Sequence, residues 1–221
     1  MYGIKKKSWP QKLTIMGSEF LFLLVVVWFL FLDGNHYLQL SDGNVNRNVI
    51  LFIFCLIVFL RMNGMMIFLL KRGITWGEAG GVIGAFAVYY LGFSFLGGTT
   101  DIDLDGIDWI AVALFLTGSL INTGSEVLRH QWKKDSQNKK KLYTGCLFRY
   151  AIHINYFGDF VWVSGFALLT RNLWAGLIPV FLGIMFIFLN IPQHDQYLRE
   201  KYGTAFEAYE KKTKKFFPFI Y

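Results

Sequence analysis

Six apolar stretches separated by short polar segments divide the 221-residue chain, roughly Leu13 to Leu32, Val49 to Leu70, Ala79 to Leu96, Trp109 to Asn122, Tyr156 to Leu169 and Leu173 to Asn190. A helix needs about 20 mostly apolar residues to cross a hydrocarbon core about 30 Å thick, so the pattern predicts membrane-spanning helices. The fourth and fifth stretches are short and flank the most polar part of the chain, which fits helices that extend past the bilayer or enclose a cavity. Beyond the sixth, Pro192 is placed to open a helix in which Leu198, Tyr202, Phe206 and Tyr209 recur at helical spacing opposite a charged face. The expected fold is an all-α, polytopic transmembrane helical bundle of about six spans, with a C-terminal amphipathic helix at the membrane interface.

Charge adds an orientation. Of the 22 Lys and Arg residues, nineteen lie before or between the spans on one side, in residues 5–12, 71–72, 129–149 and 199–215. Arg47 and Arg171 fall in the alternate loops, and Arg61 falls inside the second span. The positive-inside rule then places both termini, Asn138 and Tyr221 in the cytoplasm and Asp103 on the opposite side. A bacterial inner membrane or an endoplasmic reticulum membrane fits such a chain. The net charge of +7 accompanies a 54% hydrophobic composition, so the basic residues read as topology signals and not as a nucleic-acid surface. Membrane lipids and a lipid-soluble small molecule are the expected partners. Cys55 and Cys146 have no zinc, redox or disulfide spacing, and no metal is expected. The basic amino terminus precedes an apolar run too long for a signal peptide and is expected to be a retained first helix. Asp101, Asp103, Asp105 and Asp108 begin like a calcium loop, but Val112 stands where a bidentate Glu is needed, so a solvated turn is expected. Gly77, Gly81 and Ala85, with Gly80 and Gly84, form small faces of the third span suited to close helix packing.

Two places carry candidate chemistry. Arg61, with Asn63, lies deep in the second span, where a charge is costly unless it faces protein or water. Glu19 lies nearer the inner end of the first span and is expected to be structural. The stretch from Glu126 to Asp159 interleaves Trp132, Tyr143, Phe148, Tyr150, Tyr156 and Phe157 with charges, and sets His153, Asn155 and Asp159 at the mouth of a helix. Basic groups for phosphate or carboxylate, aromatic faces for stacking and neutral donors and acceptors suit an anionic, ring-bearing cofactor. Lipid headgroups alone would account for the lysines but not for the ordered aromatic and carboxamide pattern.

Gln131, Asp135, Asn138, Gly145, Leu147, Phe148, Arg149, Tyr150, His153, Asn155, Tyr156, Gly158 and Asp159 follow a motif order that resembles the membrane superfamily joining steroid 5-alpha reductases, sterol C14 reductases and isoprenylcysteine carboxyl methyltransferases. The match is nearest the bacterial steroid 5-alpha reductase-like (DUF1295) branch. The segment LRMNGMMIFLLKRG, with Arg61, resembles its second-helix arginine motif. Asp195, Lys201, Tyr202, Gly203, Phe206, Tyr209 and the ending FFPFIY resemble its carboxyl-terminal pattern, with the ending closer to the reductases. The resemblance covers roughly the last hundred residues. Ile152 and Ile154 stand where the pattern has Arg and Pro, and Ile191 stands where it has an arginine.

The resemblance implies an NADPH-dependent reductase of a carbon–carbon double bond in a lipid or steroid-like substrate. Residues 1–125 would be the substrate-side helices and 126–221 the cofactor-binding membrane region. Arg61, Arg149, His153, Asn155, Tyr156, Asp159, Asp195 and Tyr202 would line the cofactor, and arginine restored at positions 152 and 191 would be expected to raise its affinity. An enone substrate would also need an acid, for which Tyr89 and Tyr90 are available although no motif marks them and no catalytic residue is assigned. The superfamily leaves two other readings open: a methyltransferase using S-adenosylmethionine, which needs no such acid, and a non-catalytic binder of lipid or cofactor.

Overall fold

The structure is a computed structural model that describes residues 8–220. Lys5, Lys6, Lys7 and Tyr221, used above to argue orientation, lie outside the described residues. Among the described residues five helices are long and apolar enough to cross a membrane: α1 (Trp9–Phe31), α2 (Val45–Leu69), α3 (Trp76–Gly97), α4 (Gly106–Lys134) and α6 (Leu173–Tyr202). The fifth expected span is the shorter helix α5 (Ile154–Leu169), whose 16 residues rise about 24 Å, less than a full hydrocarbon core. The fourth stretch is longer than its apolar part, because α4 continues through Glu126 and Arg129 to Lys134 as one helix of 29 residues.

The amphipathic carboxyl-terminal segment is helical in two pieces. Residues Ile191–Tyr202 continue α6 beyond its apolar part, and Gly203 then turns the backbone with φ +50, a left-handed conformation that a side chain would disfavour, before α7 (Thr204–Glu210). Wider π-helical turns interrupt α2 at Met65–Leu69, α3 at Val88–Gly92 and α6 at Phe186–Asn190. Such turns add a residue to the coil and re-aim the side chains that follow.

The chain forms two compact units, the division falling inside α4, α5 and α6. The first comprises residues up to Phe115 together with Val163–Ile178. At its centre Phe54 stacks on Phe115 with ring centroids 3.7 Å apart, and Phe166 meets both edge-on. Lys12, buried on α1, donates to the carbonyls of Met66 and Leu70 at 2.6 and 3.1 Å and so satisfies the end of α2. Asp101, Asp103 and Asp105 are exposed, as expected of a solvated turn, but Asp108 departs from it. Asp108 is buried and accepts from Arg47 Nη2 at 3.1 and 3.2 Å, and Asp105 pairs with Arg171. The two arginines counted against the orientation rule are thus the counterions of this run, one of them wholly buried.

The second unit comprises Leu116–Trp162 and the chain from Pro179 onward. Here α4 and α5 approach backbone to backbone at two glycines. A Cβ on Gly118 would come within 2.3 Å of Trp162 N, and one on Gly158 within 2.5 Å of Asn122 N. The small residues expected to pack closely on α3 behave otherwise: Gly80, Gly81 and Gly84 have no neighbour within 4 Å of a built Cβ. The ending of the chain returns to α5, with Ile152 and His153 donating their backbone N–H groups to the carbonyls of Lys214 and Lys215 at 2.8 and 2.9 Å.

Candidate functional site

In the first unit three buried polar side chains converge. Glu19 on α1 is fully buried, and its Oε2 accepts from Tyr90 OH at 3.0 Å and from Asn63 Nδ2 at 3.1 Å. Asn63 also bonds the Phe59 carbonyl at 2.9 Å, which fixes its amide. Tyr90 sits in the π-helical turn of α3 and is wholly buried. Arg61 lies one turn from Gly64 on α2, half-buried, with Nε and Nη2 shielded from solvent, and its charge acts on Tyr90. Glu19 is therefore no boundary residue but a buried acceptor for side chains of two other helices. Its position on an apolar helix gave no periodic signal in the sequence, because its partners come from two other helices.

In the second unit the predicted residues fall into three situations. His153 and Asp195 meet in the core, with Nε2 of His153 2.8 Å from Asp195 Oδ1 and both residues buried. The His153 ring lies parallel to Tyr156 at 5.4 Å between centroids, and Tyr156 in turn lies parallel to Phe186 at 4.7 Å. Asp159 and Asn155 are half-buried on the first turns of α5, Asp159 accepting from Trp162 Nε1 at 2.8 Å and the Asn155 carbonyl accepting from Asn122 at 3.1 Å. Arg149 stands apart. It is exposed, and its guanidinium donates to the hydroxyl of Tyr150 at 2.6 Å and covers that ring.

Tyr202 helps to line an open cavity of about 490 Å³ with Lys140, Lys141, Leu142, Thr144, Lys201 and Ala205. Three ammonium groups and no carboxylate line it, a composition suited to phosphate.

Two residues that no motif marked complete the His153 cluster. Lys215 donates to Asp195 Oδ2 at 2.9 Å and lies 3.1 Å from Glu210, which also pairs with Arg199 at 2.7 Å. Hydrogen bonds from Arg199 hold the Glu210 carboxyl below its usual range against the upward push of burial, with Lys215 adding to the effect. Burial alone would lower Lys215, but the carboxylates of Asp195 and Glu210 outweigh it and hold the ammonium above the ordinary lysine value. In a run of four nearby lysines, Lys215 could be singled out only by knowing which residue the chain's return brings to Asp195.

The isoleucines at the departures from the family pattern are core residues. Ile152 packs with Phe206 and Tyr209, and Ile191 with Phe186 and Phe216; both isoleucines are buried. An arginine at either place would enter an apolar cluster, so the expected gain in affinity from restoring it does not follow from this packing.

This chain belongs to the family described as Protein of unknown function (DUF1295), whose sequence profile matches residues 82–213. It is also similar to 3-oxo-5-alpha-steroid 4-dehydrogenase 1 of Mus musculus, 32% identical over 120 residues that make up 51% of this chain and 45% of the relative. With 3-oxo-5-alpha-steroid 4-dehydrogenase 2 of Homo sapiens it shares 29% identity over 153 residues, 69% of this chain and 57% of the relative. The chain spans about half the length of the curated relatives it matches.

Proposed function

We propose that the chain is a membrane-embedded reductase of a carbon–carbon double bond conjugated to a carbonyl, acting on a lipid-soluble, steroid-like substrate with NADPH. The observation that carries this reading is the convergence of Tyr90 and Asn63 on Glu19 in a fully buried setting. Reduction of an enone builds negative charge on the carbonyl oxygen, and a preorganised acid in a dry site stabilises that charge far better than water does. Methyl transfer to a carboxylate needs no such group. The names of the curated relatives describe a 3-oxo steroid dehydrogenated at position 4, the reverse of the same chemistry, which supports the substrate class.

NADPH when bound supplies the hydride that goes to the β-carbon. The Tyr90 proton that Glu19 accepts would turn to the substrate oxygen as hydride arrives, and the α-carbon would then take a solvent proton while the oxygen returns its own to Tyr90. The positive charge of Arg61 acts on Tyr90 and favours the build-up of negative charge beside it. The residues present fit the cofactor. Lys140, Lys141 and Lys201 suit its phosphates, and His153 keeps a buried Nδ1 for which no protein donor is found among the described residues. Asn155, Asp159 and Tyr202 add neutral and acidic groups beside these, while Asp195 serves by holding His153.

Calorimetry on the purified chain tests the cofactor: NADPH should give saturable heat and S-adenosylmethionine none. With a 3-oxo-4-ene steroid as probe, Tyr90→Phe should retain the NADPH heat but lose turnover by about 10²- to 10⁴-fold, the usual worth of a positioned acid. Saturable heat from S-adenosylmethionine with none from NADPH would overturn the reading in favour of methyl transfer.

A further inference from the structure

Arg149 stands apart from the other predicted site residues, and its surroundings suit a different ligand. Its guanidinium donates to the Tyr150 hydroxyl at 2.6 Å and lies 4.7 Å from the centroid of that ring. Phe219 meets the same ring at 5.6 Å with an interplanar angle of 63°. Among the described residues no carboxylate pairs with Arg149, so most of the N–H donors of its guanidinium remain open. Tyr150 accepts in this contact and keeps its own proton to donate. Beside these donors the surface is apolar: Phe219 and Ile220 are 78% and 77% exposed. Their depth is set by the residues just before them. Phe217 packs on Phe157 and Phe160 in the first two turns of α5, and Phe216 on Phe186 of α6. Both helices are apolar there, so Phe219 and Ile220 sit where the chain enters the bilayer and not in open water.

We infer that Arg149, Tyr150, Phe219 and Ile220 form a site for an anionic phospholipid, its phosphate held by the guanidinium and the Tyr150 hydroxyl and its acyl chains lying on Phe219 and Ile220. Arginine offers phosphate a planar pair of donors, and stacking on Tyr150 fixes the direction of that fork. The bridge between Ala151 and Lys214 brings a second exposed cation beside the patch, which favours a lipid of net negative charge over a zwitterionic one. A dinucleotide would meet the guanidinium but gains nothing from two bare apolar side chains, so the exposed Phe219 and Ile220 decide between the two sources of phosphate.

Native mass spectrometry of the detergent-solubilised full chain, titrated with phosphatidylglycerol or with phosphatidylcholine of the same acyl chains, tests the site. The chain should retain phosphatidylglycerol the more tightly. Arg149→Gln should weaken phosphatidylglycerol binding about fivefold and narrow its lead over phosphatidylcholine. Lys71→Gln, which removes an exposed cation elsewhere, should leave that lead in place. Phe219→Ser should weaken both lipids together, because it removes contact with acyl chains and no charge. sn-Glycerol 3-phosphate, which has the phosphate without the chains, should not displace the lipid. Equal retention of the two lipids by the unaltered chain, or equal losses from Arg149→Gln and Lys71→Gln, would leave only diffuse surface charge and overturn the inference. Displacement by glycerol phosphate would overturn the lipid in favour of free phosphate. An Arg149→Gln chain that keeps its lipid preference but loses the NADPH heat would return the arginine to the cofactor and overturn the site.

Discussion

At the scale of single residues the two units make different use of burial. Tyr90 finds its acceptor in Glu19 Oε2 in an apolar setting, where an unpaired hydroxyl would be costly. Ile152 and Ile191 instead fill aromatic clusters with Phe206, Tyr209, Phe186 and Phe216. Replacing either by arginine should therefore cost about 3–5 kcal/mol of stability, the usual penalty of an uncompensated buried charge, and should weaken NADPH binding along with the fold. Thermal melting of Ile152→Arg and Ile191→Arg checks this, and an unchanged melting temperature with tighter NADPH binding would show that these positions open toward the cofactor.

At the scale of elements, what matters is where helices touch. The close crossing of α4 and α5 at Gly118 and Gly158 brings the Glu126 to Asp159 motifs onto facing helices, while Gly80, Gly81 and Gly84 of α3 meet nothing. Gly158→Ala should be strongly destabilising, because its Cβ would collide with the backbone of Asn122, which cannot turn aside as a side chain can. Gly81→Ala should be neutral or slightly stabilising, since it meets open space and alanine favours helix by about 1 kcal/mol. Melting temperatures of the two variants, compared in the same detergent, test the contrast. The sequence marked a small-residue face only on α3; which glycines a neighbouring backbone approaches was decided by the packing.

At the scale of the whole molecule, the carboxyl-terminal return makes the second unit depend on pH at both extremes. Glu210 titrates lower when folded than its ordinary 4.5, so its contribution is present above that value and is lost as pH falls through the depressed one. Lys215 titrates higher than its ordinary 10.5, so its contribution is full below that value and is lost as pH rises through the raised one. Stability against pH should form a plateau between these limits, and Lys215→Met should lower it and remove the alkaline shoulder. The charge asymmetry of the loops makes a separate prediction about orientation. Cysteines introduced at Asn138 and Asp103 should label from opposite faces of a sealed vesicle, and same-face labelling would contradict it.

Helix content, the approximate spans and the family were legible in the chain because they depend on local quantities: runs of apolar residues long enough for a bilayer, and motifs whose spacing is covalent. His153, Asn155, Tyr156, Asp159 and Asp195 stood out as motif positions for the same reason, although only the fold put His153 on Asp195 and left Arg149 outside on Tyr150. The length of α4, the Arg47–Asp108 pair, the Lys215 contact and the meeting of Glu19, Asn63 and Tyr90 were decided by tertiary structure. Each joins residues 20 or more positions apart or turns on what lies beside a helix, and a buried polar group's worth is set by the partner that reaches it, which no local pattern encodes.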